Sequence, residues 1–287
     1  MSLFAAAPFV GPRKIVQRLN EVAAPAYAVC VLVTRADQFG QMRESFVRGG
    51  FDPASCEFLV CDNTAGNRAD AYVALNEFLQ AARAGRIILC HQDVLLLDDT
   101  RRDLDARLDE LGRIDPHWAL AGNAGATASG LPHLCLSEEG LPGTAFGGPF
   151  PQQVVSLDEN FIVVRPEANL ALSRDLAGFH HYGTDLCLIA DILGWNAWVI
   201  DFYLRHLGTG TTDEHYFASA RAIEAKYRRA LRSRWVANVI NHPVLVSARG
   251  RGLIAHGKYL YDKLTGRVAR NTRAWSTERR AAHRRPS

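Results

Sequence analysis

The residues best placed to do chemistry lie in Arg86-Ile87-Ile88-Leu89-Cys90-His91-Gln92-Asp93-Val94, where a histidine and a carboxylate follow a short apolar run. Bounded by Gly85, that run reads as a buried strand of a parallel sheet. Ligands of open α/β sheets sit outside the carboxyl ends of the strands, so His91 and Asp93 would face the crevice. An alternating His-x-Asp also turns both polar side chains to one side of the chain. One occupant suited to them is a divalent cation with a diphosphate, since hard cations take oxygen ligands and phosphates can complete the shell. The alternative is an aspartate capping the next turn beside a satisfied histidine.

The elements that must position this pair follow from the pattern around it. Tyr27 to Val33 is the first clear strand; it stops at Thr34-Arg35-Ala36-Asp37, and a helix through Met42 to Val47 follows. A second strand over 56–61 ends in the turn-forming cluster Asp62-Asn63-Thr64-Ala65-Gly66-Asn67. The spacing of Tyr72, Leu75, Phe78 and Leu79 predicts a helix over 70–84, and Leu104, Leu108 and Leu111 predict another over 100–111. Three such strand–helix repeats argue for a doubly wound, mostly parallel sheet flanked by helices. Trp118 to Gly122 is a further strand, leading into a Gly-, Ser- and Pro-rich region over 123–151 that is a mobile active-site loop or a hairpin insertion. Residues 154–166 read as two short strands around an acidic turn. A helix capped by Thr184 or Asp185 then runs to Leu193, where Gly194 ends it. The last strand spans 197–202. Before all of this, a leader over 1–25 is broken by Pro8, Gly11, Pro12 and Pro25, with Ile15, Val16 and Leu19 forming one helical turn.

Other chemistries are absent from the pattern. No GxGxxG follows the first strand, and there is no Walker A sequence, nucleophile elbow or zinc-ligand cysteine cluster. The six cysteines form no CxxC pair; they read as buried thiols, which fits a reducing cytoplasm. Neither a signal peptide nor a membrane span is read from the apolar runs. At 287 residues the chain is one large domain or a domain with an appendage. Charge is unevenly placed: from Arg221 onward there are 17 Lys+Arg against 3 Asp+Glu, leaving 33−17 = 16 against 30−3 = 27 before it. An acidic body thus carries a basic extension suited to an anionic partner, its last fifteen residues expected to be flexible.

Taken in order, the pieces over roughly 27–210 resemble a GT-A nucleotide-sugar glycosyltransferase of the family-2-like kind. The matching residues are Thr34-Arg35 after the first strand, Cys61-Asp62-Asn63 after the second and His91-Gln92-Asp93 where that family has Asp-x-Asp. The small-residue segment after Trp118, Asp185 opening a late helix and His206 after the last strand complete the set. The resemblance implies a GT-A-like domain over 26–211 between the leader and a basic helical extension over 212–287. It implies that Thr34 and Arg35, with Asp62 and Asn63, line the nucleotide site. His91 and Asp93 would lie at the donor, and Asp93 and His206 would hold Mn2+ or Mg2+ between its phosphates. Asp185 would take the proton from the acceptor hydroxyl in an inverting displacement, and Arg165 would pair with a phosphate. A histidine in place of the first aspartate removes one negative charge and favours manganese or loosens metal dependence.

The expected activity is transfer of a sugar from a nucleotide-diphosphate donor, UDP-sugar foremost, to a glycan, glycolipid or protein acceptor in polysaccharide biosynthesis. The expected location is the cytoplasm, with peripheral membrane contact through the basic extension. Two alternatives stand beside it: a GT-A-shaped nucleotide- or glycan-binding module without catalysis, and a nucleic-acid-binding protein acting through the basic tail. Few aromatics in the tail interleave with its arginines in a stacking pattern, which disfavours nucleic acid.

Overall fold

The computed structural model describes residues 15–138, 144–208, 213–231, 234–236 and 244–246. The body is a mixed α/β fold built on an eight-stranded sheet. Its strands, in chain order, are β1 (Val16–Arg18), β2 (Tyr27–Val33), β3 (Cys56–Asp62) and β4 (Arg86–Cys90). The remaining elements begin with β5 (Val94–Leu96), β6 (Trp118–Gly122), β7 (Ala124–Ala126), β8 (Pro132–Glu138) and β9 (Thr144–Phe146). They continue with β10 (Gln152–Val154), β11 (Ser156–Leu157), β12 (Phe161–Val164), β13 (Asn196–Val199) and β14 (Leu204–His206). The main sheet runs β1-β3-β2-β4-β12-β6-β13-β10. Within it β3, β2, β4, β6 and β13 point one way, and β1, β12 and β10 the other. The expected mixed, mostly parallel sheet flanked by helices is therefore the fold observed.

Alternation along the strands explains why they read as continuous apolar runs. In β2, Ala28 and Cys30 join one core, while Tyr27, Val29, Val31 and Val33 join the other. Both faces are covered, as buried parallel strands require. On the second face lie α1 (Ala36–Arg48), through Met42 and Phe46, and α3 (Arg101–Ile114), through Leu104, Leu108 and Leu111. Thr100 and Asp103 start α3 with reciprocal caps. The first face is covered by α2 (Ala71–Ala81), α4 (Tyr182–Ile192) and α5 (Glu214–Ala230). Helix α5, which the charge pattern assigns to the extension, packs Ile223 and Tyr227 into this core. All six cysteines are buried and free, as expected of core thiols.

Several expectations are corrected. Residues 15–19 do not make a helical turn: Val16, Gln17 and Arg18 pair antiparallel with Cys61, Val60 and Leu59, and Arg18 forms an ion pair with the fully buried Glu57. The region over 123–151 is a hairpin insertion. Strands β7, β8 and β9 belong to a second sheet ordered β11-β7-β8-β14-β5, with β9 against β8. Local alternation cannot reveal that sheet, because its short strands come from distant segments. The last expected strand is shorter, β13 ending at Val199 in the main sheet, and an unexpected strand after it, β14, belongs to the second sheet. Neither Thr184 nor Asp185 caps α4. The cap position is His181, in the left-handed region at φ 63°. Beyond α5 the described residues form one two-stranded pair, Arg234–Val236 with Val244–Val246. The expected flexible last fifteen residues lie outside the described residues, as do Thr209 to Thr212 after the second sheet. Among the described residues no helix is long and apolar enough to cross a membrane.

Candidate metal centre

Strand β2 lies between β3 and β4, so the chain reverses its direction of winding at β2/β4. This is the switch point where α/β sheets open a crevice. His91 leaves β4 there, its amide bonded to the Asn160 carbonyl at 3.0 Å. Three residues later the chain changes sheet. Val94 opens β5, which pairs antiparallel with β14 so that His206 stands opposite Val94. The Leu207 amide donates to the Asp93 carbonyl at 2.8 Å and locks that register. His91, Asp93 and His206 therefore meet although His91 and His206 are 115 positions apart.

The ligand atoms are close. His206 Nε2 is 3.3 Å from Asp93 Oδ1, His91 Nδ1 is 3.8 Å from the same oxygen, and the two ring nitrogens are 3.5 Å apart. Three ligands sharing one ion at about 2.0–2.2 Å stand roughly 3–3.7 Å from one another; two of these separations fall in that range and the His91–Asp93 one just beyond it, close to what a shared cation requires. Two imidazoles with one carboxylate suit manganese, iron or zinc better than magnesium. Gly208 keeps the approach open, since a Cβ there would sit 3.1 Å from Asp93 Oδ2. Burial alone would raise the Asp93 carboxyl, but the hydrogen bond and charge of His206 and the charge of His91 outweigh it and hold it below the usual range. Burial lowers His91, reinforced by His206 and His180 and opposed by Asp93 and Asp158. The imidazole is thereby kept in the neutral form that metals bind.

The expected nucleotide-site residues gather at the neighbouring strand ends. Gln92 turns away from the cluster towards β2. Its Oε1 accepts from the Thr34 and Arg35 amides at 2.7 and 2.8 Å, and its Nε2 donates to Thr34 Oγ1 at 2.7 Å. The Arg35 guanidinium pairs with exposed Asp37. Asp62 is exposed and forms an Asx turn, accepting from the Thr64 amide and hydroxyl, which lower its carboxyl. Asn63 is buried and holds the following loop through the Arg68 amide and the Ala69 carbonyl. Thr34, Arg35, Asp62 and Asn63 thus border one edge, joined where the Asn63 amide donates to the Val33 carbonyl at 2.7 Å.

Asp185 is not exposed at this edge. It is fully buried, and its carboxylate accepts from the Ser173 amide (2.8 Å), the Ser173 hydroxyl (2.7 Å) and the Tyr227 hydroxyl (2.6 Å). Arg165 is corrected outright. Strand β12 runs antiparallel to β4, so Arg165 emerges at the amino end of the parallel strands, bonded to the Pro116 carbonyl and lying against Trp118 and Trp195. Two residues without a sequence-based role emerge instead. The Tyr182 hydroxyl contacts His91 Nε2 at 3.0 Å and donates to the Glu159 carbonyl at 3.1 Å. Burial, reinforced by Asp158, pushes the Glu159 carboxyl up to about 8, against the Gly183, Tyr182 and His181 amides. The acidic turn over 158–160 and the His-His-Tyr run at 180–182 are visible in the sequence, but not their convergence on His91.

A protein of Fuscovulum blasticum, "ATP synthase subunits region ORF 6", is 37% identical over 208 residues, covering 71% of this chain and 84% of its own. The chain belongs to the family of that protein. Its name records a gene neighbourhood and carries no chemistry. No established family model matches the chain. Among solved structures, GalNAc-T7 crystallised with UDP, GalNAc and Mn2+ aligns at TM-score 0.48 and 10% identity, over 71% of this chain and 48% of that one. The chain thus spans about half of that protein's length. A197 from STIV aligns at TM-score 0.36 and 10% identity, over 65% and 96% respectively.

Proposed function

We propose that this protein is a GT-A-type glycosyltransferase whose His91, Asp93 and His206 hold a divalent cation, manganese foremost, against the diphosphate of a nucleotide sugar. The observation that carries this reading is the convergence of those three side chains at the switch point, with ligand-atom separations of 3.3–3.8 Å. A bound cation would offset the charge that develops on the leaving phosphate. The chain's own residues supply the rest. Gln92 clamps the β2 end so that Thr34, Arg35, Asp62 and Asn63 form a rigid rim for a nucleoside, and Gly208 leaves room beside Asp93.

The test is a thermal-shift screen of nucleoside diphosphates with and without Mn2+, followed by donor hydrolysis or transfer. The expected result is stabilisation that needs both nucleotide and Mn2+ and turnover of a UDP-sugar, lost in Asp93→Asn. Stabilisation indifferent to Mn2+, or unchanged turnover in that variant, overturns the reading. A second reading, a binding module without turnover, is favoured by one observation: the carboxylate expected to accept the acceptor's proton, Asp185, is fully buried and already accepts three hydrogen bonds. Cation-dependent nucleotide binding with no turnover across a donor panel selects it.

A further inference from the structure

We propose that Tyr182 is a positioning residue that fixes His91 as the Nε2–H tautomer, so that Nδ1 presents its lone pair to the ion shared with Asp93 and His206. This rests on the cation-binding role proposed above. A tyrosine hydroxyl has one proton to give. Here it has a partner that can only accept, the Glu159 carbonyl at 3.1 Å, and a ring nitrogen, His91 Nε2 at 3.0 Å, that can do either. If the proton goes to the carbonyl, Nε2 must be the N–H that donates to the hydroxyl oxygen. Both bonds are then made at good distances.

The other tautomer is worse on both sides of the ring. A proton on Nδ1 would point at His206 Nε2 3.5 Å away or Asp93 Oδ1 3.8 Å away, beyond good hydrogen-bonding distance. The Tyr182 hydroxyl would then have to turn from Glu159 to Nε2, leaving that carbonyl without this donor. The outer partner of a metal-binding histidine commonly sets which nitrogen binds, and here that partner is a relay through a phenol to a backbone oxygen.

The backbone around Tyr182 holds it there. His181 takes a left-handed conformation at φ 63°; the His180 and His181 rings both pack on Tyr216, at 5.6 and 4.4 Å, while Tyr182 turns to His91. The Tyr72 and Ser219 hydroxyls both donate to the His180 carbonyl. Next to Tyr182, Gly183 lies so close to the Leu157 carbonyl that a Cβ would come within 2.4 Å of it. Non-glycine residues adopt positive φ rarely, and such conformations persist where surrounding contacts over-determine them.

The experiment is 15N–1H correlation of histidine-labelled, metal-free protein, with Mn2+ titrated separately into wild type, Tyr182→Phe and Tyr72→Phe. Wild type is expected to show His91 with the Nε2–H signature. Tyr182→Phe is expected to show a mixture of tautomers and about 10-fold weaker Mn2+ binding. Tyr72→Phe, which removes a bond to the same turn without touching His91, should keep the wild-type signature. An Nδ1–H signature in wild type overturns the proposal, as does unchanged Mn2+ affinity in Tyr182→Phe. An Nε2–H signature without any Mn2+ uptake by wild type instead refutes the cation reading beneath it, which the NMR arm distinguishes from failure of the tautomer assignment.

Discussion

Asp185 separates a structural from a catalytic reading most sharply, and replacing it with alanine tests both. The carboxylate is fully buried and receives three hydrogen bonds of 2.6–2.8 Å, from the amide and hydroxyl of Ser173 and from the hydroxyl of Tyr227. Hydrogen bonds to a charged group are worth about 1.5–3 kcal/mol each, and a buried donor left without a partner costs about 1–3 kcal/mol. These terms overlap rather than add, because the three donors share one acceptor. The expected loss for Asp185→Ala is about 3–5 kcal/mol. For a body of this size that lowers the melting temperature by roughly 6–20 °C. Tyr227→Phe removes one donor only and should cost about 1–2 kcal/mol.

Urea unfolding followed by circular dichroism reads both variants, and the double variant reads their coupling. Since Tyr227 sits on α5 and Asp185 on α4, a coupling of about 1 kcal/mol or more means that α5 is fastened to the body through this carboxylate. A catalytic base behaves in the opposite manner: Asp185→Ala would fold as tightly as wild type and lose only turnover. Stability within about 1 kcal/mol of wild type would therefore refute the structural argument.

Asp93→Asn should weaken Mn2+ binding by about 100-fold or more, measured by calorimetry, while shifting the melting temperature little in metal-free buffer; retained affinity would exclude Asp93 as a ligand. Glu159→Gln should stabilise the protein increasingly as pH rises. With the folded carboxyl pushed from 4.5 to about 8, its protonated form contributes stability that is complete below about 4.5 and lost on the way up through 8. The full linkage would be about 5 kcal/mol, and partial exposure reduces it to about 1–2 kcal/mol. Urea midpoints of variant and wild type at pH 5 and pH 8 check this, and a gap that does not widen with pH contradicts it. Gly183→Ala should cost about 2–3 kcal/mol, because its Cβ would meet the backbone oxygen of Leu157 at 2.4 Å; an unchanged urea midpoint would show that α4 can move aside.

What the sequence made legible follows from the range of the forces involved. Strands β2, β3, β4 and β6 and helices α1 to α3 are local patterns of periodicity and capping, and Thr100 with Asp103 even spells out a capping box. His91 and Asp93 were found because they follow directly on an apolar strand. His206 needed a resemblance, since nothing local brings it to Asp93; the contact exists only through the β5–β14 pairing. Gln92 was passed over because spacing describes what His91 and Asp93 share and is silent on the residue between them. Arg165 misled for a related reason: apolar strands do not advertise direction, and β12 runs backwards between β4 and β6. Tyr182 was hidden because its contact with His91 joins positions 91 residues apart and nothing local signals it.

Charge bears on how the His91-x-Asp93 pair would hold the proposed cation with one carboxylate in place of two. With one carboxylate and two imidazoles as its ligands, a divalent cation in this partly buried site would keep net positive charge, which a diphosphate would offset. The acidic residues nearby do not remove that need: Asp158 is exposed with one oxygen bonded to Asn160, and Glu159 is raised towards its neutral form. If it binds a cation as proposed, such a site would hold the ion weakly by itself and tightly with nucleotide, and by linkage nucleotide tightly only with the ion. The loss of the first aspartate therefore does not by itself separate enzyme from binding module, because both retain this mutual dependence. What separates them is the proton of the acceptor hydroxyl. Asp185 is fully buried behind Ser173 and Tyr227, so an enzyme must either open that cluster or use a different base, whereas a binding module needs neither.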